Sequence, residues 1–133
     1  MTLHRTEISV RWAELDPYAH VNHAVYVGYL EVARAEALDH IGLSLPMVSK
    51  AGLQFVVVEL NVKYKRAAEM GDQLVVETSL DRTSRATSTW HQRILRGDEV
   101  MIVGSVTAAV TDATGRPVRP PQWISDALER LRP

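Results

Sequence analysis

One stretch of about twenty residues, from Asn22 to Ile41, keeps a helical period, and almost everything after it alternates with a period of two. Tyr26, Leu30, Ala33, Ala37 and Ile41 fall on one stripe, and Val25, Tyr29 and Val32 widen it. Polar residues gather at Glu31, Arg34, Asp39 and His40. Asn22 is of the N-cap type, and Gly42 stands where a helix C′ residue belongs. At 1.5 Å per residue such a helix is roughly 30 Å long. A helix this apolar is expected to be largely enclosed, and the rest of the chain offers mainly strands to enclose it.

The strands read as follows. Ile8, Val10 and Trp12 share one face of an opening strand from Met1 to Trp12, which breaks at Asp16-Pro17. A loop with Pro46 and Gly52 follows the helix. Val56, Val58, Leu60, Val62 and Tyr64 then share a face, with Phe55, Val57, Glu59 and Asn61 opposite. Turns at Met70-Gly71-Asp72, Asp81 to Arg85 and Gly97-Asp98 separate three more strands. A short amphipathic tail, Trp123 to Leu131, reads as helix. Short turns imply antiparallel neighbours, so the expectation is an α+β domain spanning 1–133, one antiparallel sheet wrapped around a long central helix.

Composition narrows the function. With 133 residues and no cysteine, the chain can build a core but has no disulfide framework, thiolate metal site or cysteine nucleophile. Fifteen basic against sixteen acidic residues argue against general nucleic-acid binding. No run approaches the ~20 apolar residues of a membrane span, and Met1 to Val10 carries Arg5 and Glu7, so the expected location is cytoplasmic.

The densest polar cluster runs from Asp16 to His23 and feeds the start of the apolar helix. A helix N-terminus presents unpaired N–H groups and partial positive charge, which can hold a developing oxyanion. Asp16 beside it could act as nucleophile or as general base on water, with His20 and Asn22 as positioners. The plainer reading is a turn followed by a cap, with Asn22 capping in either case. Asp16, His20 and His23 also have the chemistry of zinc or iron ligands, but their spacing crosses a proline turn, and no metal is expected.

Other signals have ordinary explanations. Arg96-Gly97-Asp98 reads as a hairpin turn. Glu31 and Arg34, three apart, suggest a helix-surface ion pair, though Glu31 could serve a site. Glu59 and Asn61 are either solvated or line a cleft. Lys63, Lys65, Arg66, Arg82, Arg85, Arg93 and Arg96 cluster near turns, as a solvated surface or a phosphate-binding rim. There is no Gly-rich phosphate loop.

The segment from Val10 through Asp16, His20 and Asn22 to Tyr26 resembles the opening motif of the hotdog-fold thioesterases of the 4-hydroxybenzoyl-CoA thioesterase group. The likeness continues through Glu31-Val-Ala-Arg34 and Tyr64 to Asp72. It implies that Asp16 is the catalytic carboxylate and that the backbone N–H near His23 polarises the thioester carbonyl. It implies further that His20 and Asn22 belong to the site and that Tyr26 packs in the acyl pocket. Glu31, Glu59, Arg82 and Arg85 are weaker candidates for substrate contacts. In the related plant carrier-protein enzymes an Asn stands two residues before that His, where this chain has Tyr18. The resemblance implies an acyl-CoA substrate (or an acyl carrier protein thioester), no cofactor, and a homodimer or homotetramer with sites at the subunit interface. Two rivals keep the same fold: an acyl-thioester hydratase or dehydratase, and a non-catalytic acyl-CoA binder.

Overall fold

The computed structural model describes residues 3–133. Strand β1 (His4–Ser9) leads through a 3₁₀ turn at Trp12–Glu14 into helix α1 (His23–His40). Helix α2 (Leu45–Lys50), strands β2 (Leu53–Tyr64), β3 (Gln73–Thr83), β4 (Thr87–Arg96) and β5 (Glu99–Asp112), and helix α3 (Gln122–Glu129) follow. The five strands form one antiparallel sheet in the order β1-β3-β4-β5-β2. The sheet curls around α1, which is the hotdog arrangement.

The long helix forms where its period places it. Asn22 caps it, its side chain accepting from the Ala24 N–H, and Gly42 takes φ +87° just beyond its end. Tyr26, Tyr29, Leu30, Ala33, Ala37 and Leu38 are buried. The helix is not enclosed on all sides, however. It lies over β1 and β3, and Val32 stays exposed on its outer flank.

Two apolar clusters divide the core. One lies under the first half of α1, with Val10, Tyr26, Leu30, Leu74, Ile94 and Ile102. The other joins its second half to α3 through Leu38, Trp90, Val106, Ile124 and Leu128. Between them a row of neighbours crosses the sheet: Thr78 on β3, Gln92 on β4, Gly104 on β5 and Val62 on β2. Gln92 is fully buried, and its amide donates to the Leu30 carbonyl (3.0 Å) and to Thr78 Oγ1 (3.0 Å). Its carbonyl oxygen accepts from Arg34 Nη1 (3.1 Å). All its polar atoms are thus used, and the helix is tied to the sheet at one point along its length. Gly104 is what lets the helix come so near, since a Cβ there would sit 3.0 Å from Leu30 Cδ1.

Several expectations need correction. β1 ends at Ser9, and the 3₁₀ turn throws Trp12 outward, 74% exposed; Met1 and Thr2 lie outside the described residues. The loop after α1 contains α2, marked by its Ser44 cap, early Pro46 and closing Gly52. β2 does not neighbour β3. It pairs with β5, and residues 65–72 carry the chain across the sheet. The register on β2 shifts between Val57 and Glu59. One extra residue there reverses which parity faces the helix. Leu53 and Phe55 pack inward before the shift, and Val62 does so after it, so Val56 and Val58 do not share the inner face with Val62.

Candidate active site

Asp16 and the start of α1 come together because the intervening residues close a tight loop. Leu15 and Val21 form a β-bridge, and the Asp16 N–H donates to the His20 carbonyl at 2.7 Å. Asp16 Oδ1 accepts from the backbone N–H groups of Tyr18 (2.9 Å) and His20 (3.1 Å). Ala19 supplies the reversal at φ +64°, a left-handed conformation unusual for an alanine. His20 also bridges to Glu69 across the loop that follows β2. Asp16 Oδ1 is therefore occupied, while Oδ2 has no hydrogen-bond partner among the described residues.

At the helix start, the Ala24 N–H goes to the Asn22 side chain and the Val25 N–H to the Asn22 carbonyl. The His23 N–H is left with no acceptor among the described residues. The His23 carbonyl accepts from Tyr64 Oη (2.9 Å), which ties the first turn to the end of β2. Tyr26 is buried at 2% exposure, and its Oη accepts from the Ala68 N–H (2.9 Å). Its ring meets Tyr29 and Tyr64 edge-on, at centroid distances of 6.0 and 5.7 Å. Burial raises its phenol pKa above the ordinary value.

On the other side of the loop, Glu14 accepts from the Arg11 N–H (2.8 Å) and from Tyr29 Oη (2.7 Å). Burial raises the Glu14 pKa, but these bonds and the Arg11 charge outweigh it and hold the carboxyl below its usual range. Burial, with the Glu14 bond second, drives the Tyr29 hydroxyl strongly upward.

Glu14 and Tyr29 border a separate cavity, and another of about 320 Å³ lies at the helix start. Asp16, His20, His23 and Tyr26 all face it, as does Tyr64, with exposed Lys65 and Arg66 beside them. Sequence reasoning does not place Tyr64 in the site, and it reads Lys65 and Arg66 only as part of a solvated surface or a phosphate-binding rim. The register shift on β2 hides which of its residues reach the helix start. Arg66 is paired with Glu99 (3.1 Å), whereas Lys65 has no carboxylate within 4 Å among the described residues. No three His, Asp or Glu side chains among the described residues group as a metal site. No described helix is long and apolar enough to cross a membrane.

The other candidates lie elsewhere in the chain. Asn22 caps α1 beside the cavity without lining it. Glu31 sits on the exposed flank of α1 and does not pair with Arg34, which reaches inward to Gln92 instead. Glu59 stands on exposed β2 at the register shift. Arg82 and Arg85 sit at the turn between β3 and β4, the end of the sheet away from Asp16; Arg85 faces a separate polar hollow. Arg96-Gly97-Asp98 is a hairpin turn in which Arg96 binds Asp72 and Glu99.

A profile of the Thioesterase-like superfamily matches residues 10–128. The chain is 32% identical over 123 residues to an acyl-acyl carrier protein thioesterase of Arabidopsis thaliana, covering 91% of this chain and 65% of that one. It thus spans about two thirds of the length of such plant relatives. It is 33% identical over 99 residues to the long-chain acyl-CoA thioesterase FadM of Escherichia coli K12, 74% of each chain. Among solved structures, a hypothetical protein from Thermus thermophilus superposes with TM-score 0.91 at 33% identity, covering 96% of this chain and 98% of that one. The DHNA-CoA thioesterase of Staphylococcus aureus gives 0.89 at 29%, covering 98% and 89%.

Proposed function

The chain belongs to the Thioesterase-like superfamily, and from that premise we propose that it hydrolyses acyl-CoA thioesters to a free acid and coenzyme A. The observation that carries this reading is the pairing of an unoccupied His23 N–H with an unoccupied Asp16 oxygen on one cavity. The N–H, aided by the helix dipole, takes the charge that develops on the thioester oxygen. Asp16 Oδ2 either attacks the carbonyl carbon or takes a proton from the water that does. The C–S bond then breaks, coenzyme A leaves as a thiolate that takes up a proton, and, where Asp16 is the nucleophile, water hydrolyses the acyl–Asp16 anhydride to release the free acid. A thiolate is a good leaving group, so these steps need no metal. His20 orients the water or the departing sulfur from the same cavity, and Asn22 fixes the helix start. Lys65 offers a cation for the coenzyme A phosphates.

Strand β2 supports a second part of the reading, a homodimer. It is twelve residues long and lies at the sheet edge, with Val57 47% and Val58 58% exposed. A long apolar edge invites another strand. Pairing β2 with its copy about a twofold axis covers it and sets the subunit seam beside Tyr64 and His23. Val58→Lys is expected to yield monomers in sedimentation; an unchanged assembly would refute this mode of pairing.

The activity is tested by free-thiol release from short, medium, long and aromatic acyl-CoA substrates, with Asp16→Asn as the variant. The expected result is release by the wild type that falls at least a hundredfold in the variant. Release that survives Asp16→Asn removes Asp16 from the mechanism. Single turnover in oxygen-18 water separates nucleophile from base. Product analysis separates hydrolysis from hydration of an enoyl thioester, and saturable binding without product would mark a binder.

A further inference from the structure

Helix α1 leans over β1 and β3, and along β2 Val57, Leu60 and Tyr64 stay exposed while Leu53, Phe55 and Val62 pack inward. Both ends of that strip border α1: Tyr64 bonds the His23 carbonyl, and Val57 shares a cavity with Arg34 and Leu38. This second cavity, of about 290 Å³, is mostly apolar, with Leu38, Phe55, Val57 and Trp90 among its walls. The charged groups on that wall are Arg34 and Glu31.

Arg34 is half-buried, and its single hydrogen bond among the described residues goes to Gln92. No carboxylate lies within 4 Å of it among those residues, and none of its remaining nitrogens is a sealed, partnerless donor. The free donors thus face open space at the cavity. Burial weakens the charged form, and Glu31 only partly offsets this from the exposed flank of the helix. A guanidinium so placed is an underused fork for an anion with two oxygens. Arg34 lies eleven residues after His23, roughly 16 Å along the helix. An extended chain of about a dozen carbons spans that distance.

We propose that the acyl chain runs along α1 and β2 from the helix start to this second cavity and that Arg34 binds a carboxylate at its far end, which makes ω-carboxyacyl thioesters the preferred substrates. This rests on the thioesterase reading for turnover but not for binding. The fork donates two N–H groups to the terminal carboxylate, and Phe55, Val57 and Trp90 shield the methylenes next to it.

Two non-hydrolysable thioethers of coenzyme A test it, one carrying an 11-carboxyundecyl chain and the other a dodecyl chain. Calorimetry on the wild type is expected to find the carboxylated ligand bound at least tenfold more tightly. In Arg34→Gln the ratio should fall to near one, and Arg34→Lys should restore part of it. Val57→Glu changes an exposed wall residue and brings a carboxylate to the cavity, so it should abolish the preference even if Arg34→Gln does not fold. Equal affinity in the wild type, or a preference that survives Val57→Glu or a folded Arg34→Gln, would overturn the proposal. Because the ligands are not turned over, the affinity ratio can be measured even on a protein that hydrolyses no thioester. Conversely, hydrolysis of plain acyl-CoA with no carboxylate preference sinks this inference alone.

Discussion

Substituting Gly104 by alanine sets two effects of opposite sign against each other. Gly104 has no left-handed φ, so alanine fits its backbone. On backbone grounds the change should stabilise the strand by about 0.5–1 kcal/mol. The new methyl, however, would lie 3.0 Å from Leu30 Cδ1, where carbon atoms normally rest about 3.5–4.0 Å apart. Leu30 must give way by a few tenths of an ångström. It cannot slide freely, because its carbonyl is held by Gln92 Nε2 and its side chain is fully buried. Overpacking of this kind costs about 1–3 kcal/mol. The net expectation is a loss of about 0.5–2 kcal/mol. For a chain of this length unfolding entropy is about 0.3 kcal/mol per degree, so Tm should drop by roughly 2–7 °C. Thermal unfolding followed by circular dichroism measures it. A double variant checks the cause, since Leu30→Ala should cost less in Gly104→Ala than in the wild type, by about 1 kcal/mol. An unchanged or higher Tm for Gly104→Ala would refute the packing argument outright.

Three other outcomes follow from the geometry. Asp16→Ala should lose about 0.5–1.5 kcal/mol because two partly solvated backbone donors lose their acceptor, while Asp16→Asn keeps that oxygen and stays close to wild type in urea titration. At Ala19 the expected order of stability is Gly at or above Ala, and Val lowest by about 1–2 kcal/mol, read from melting temperatures. The buried Glu77 carboxyl is raised by burial but held below its ordinary 4.5 by Arg93 and Arg5. Its contribution is therefore complete above about pH 4.5 and is lost as pH falls through the lower folded value; Glu77→Gln should flatten the acid limb of a stability–pH curve.

The central helix, its Asn22 cap and the alternation around it are legible in the sequence because each rests on local periodicity and capping chemistry. The grouping of Asp16, His20 and His23 is legible for the same reason, since eight residues leave little room to separate. What escapes is non-local. Nothing near β2 announces that it pairs with β5 rather than β3, because strand order is decided by which edges remain free once the helix is covered. The extra residue near Val58 is equally silent, since Val56, Val57 and Val58 read the same on either face. Spacing alone pairs Arg34 with Glu31; a buried glutamine 58 positions away takes it instead.

In the proposed mechanism the two oxygens of Asp16 have separate tasks, and that division has an evolutionary consequence. The loop needs only an acceptor at Oδ1, which asparagine supplies as well as aspartate. A lineage could therefore lose the reaction in one step and keep every hydrogen bond that shapes the loop. In chains of this kind the intact hairpin before the helix is poor evidence of a working enzyme. On that mechanism the acid at position 16 is the informative letter, and asparagine there would mark a relative that has kept the architecture after abandoning the chemistry.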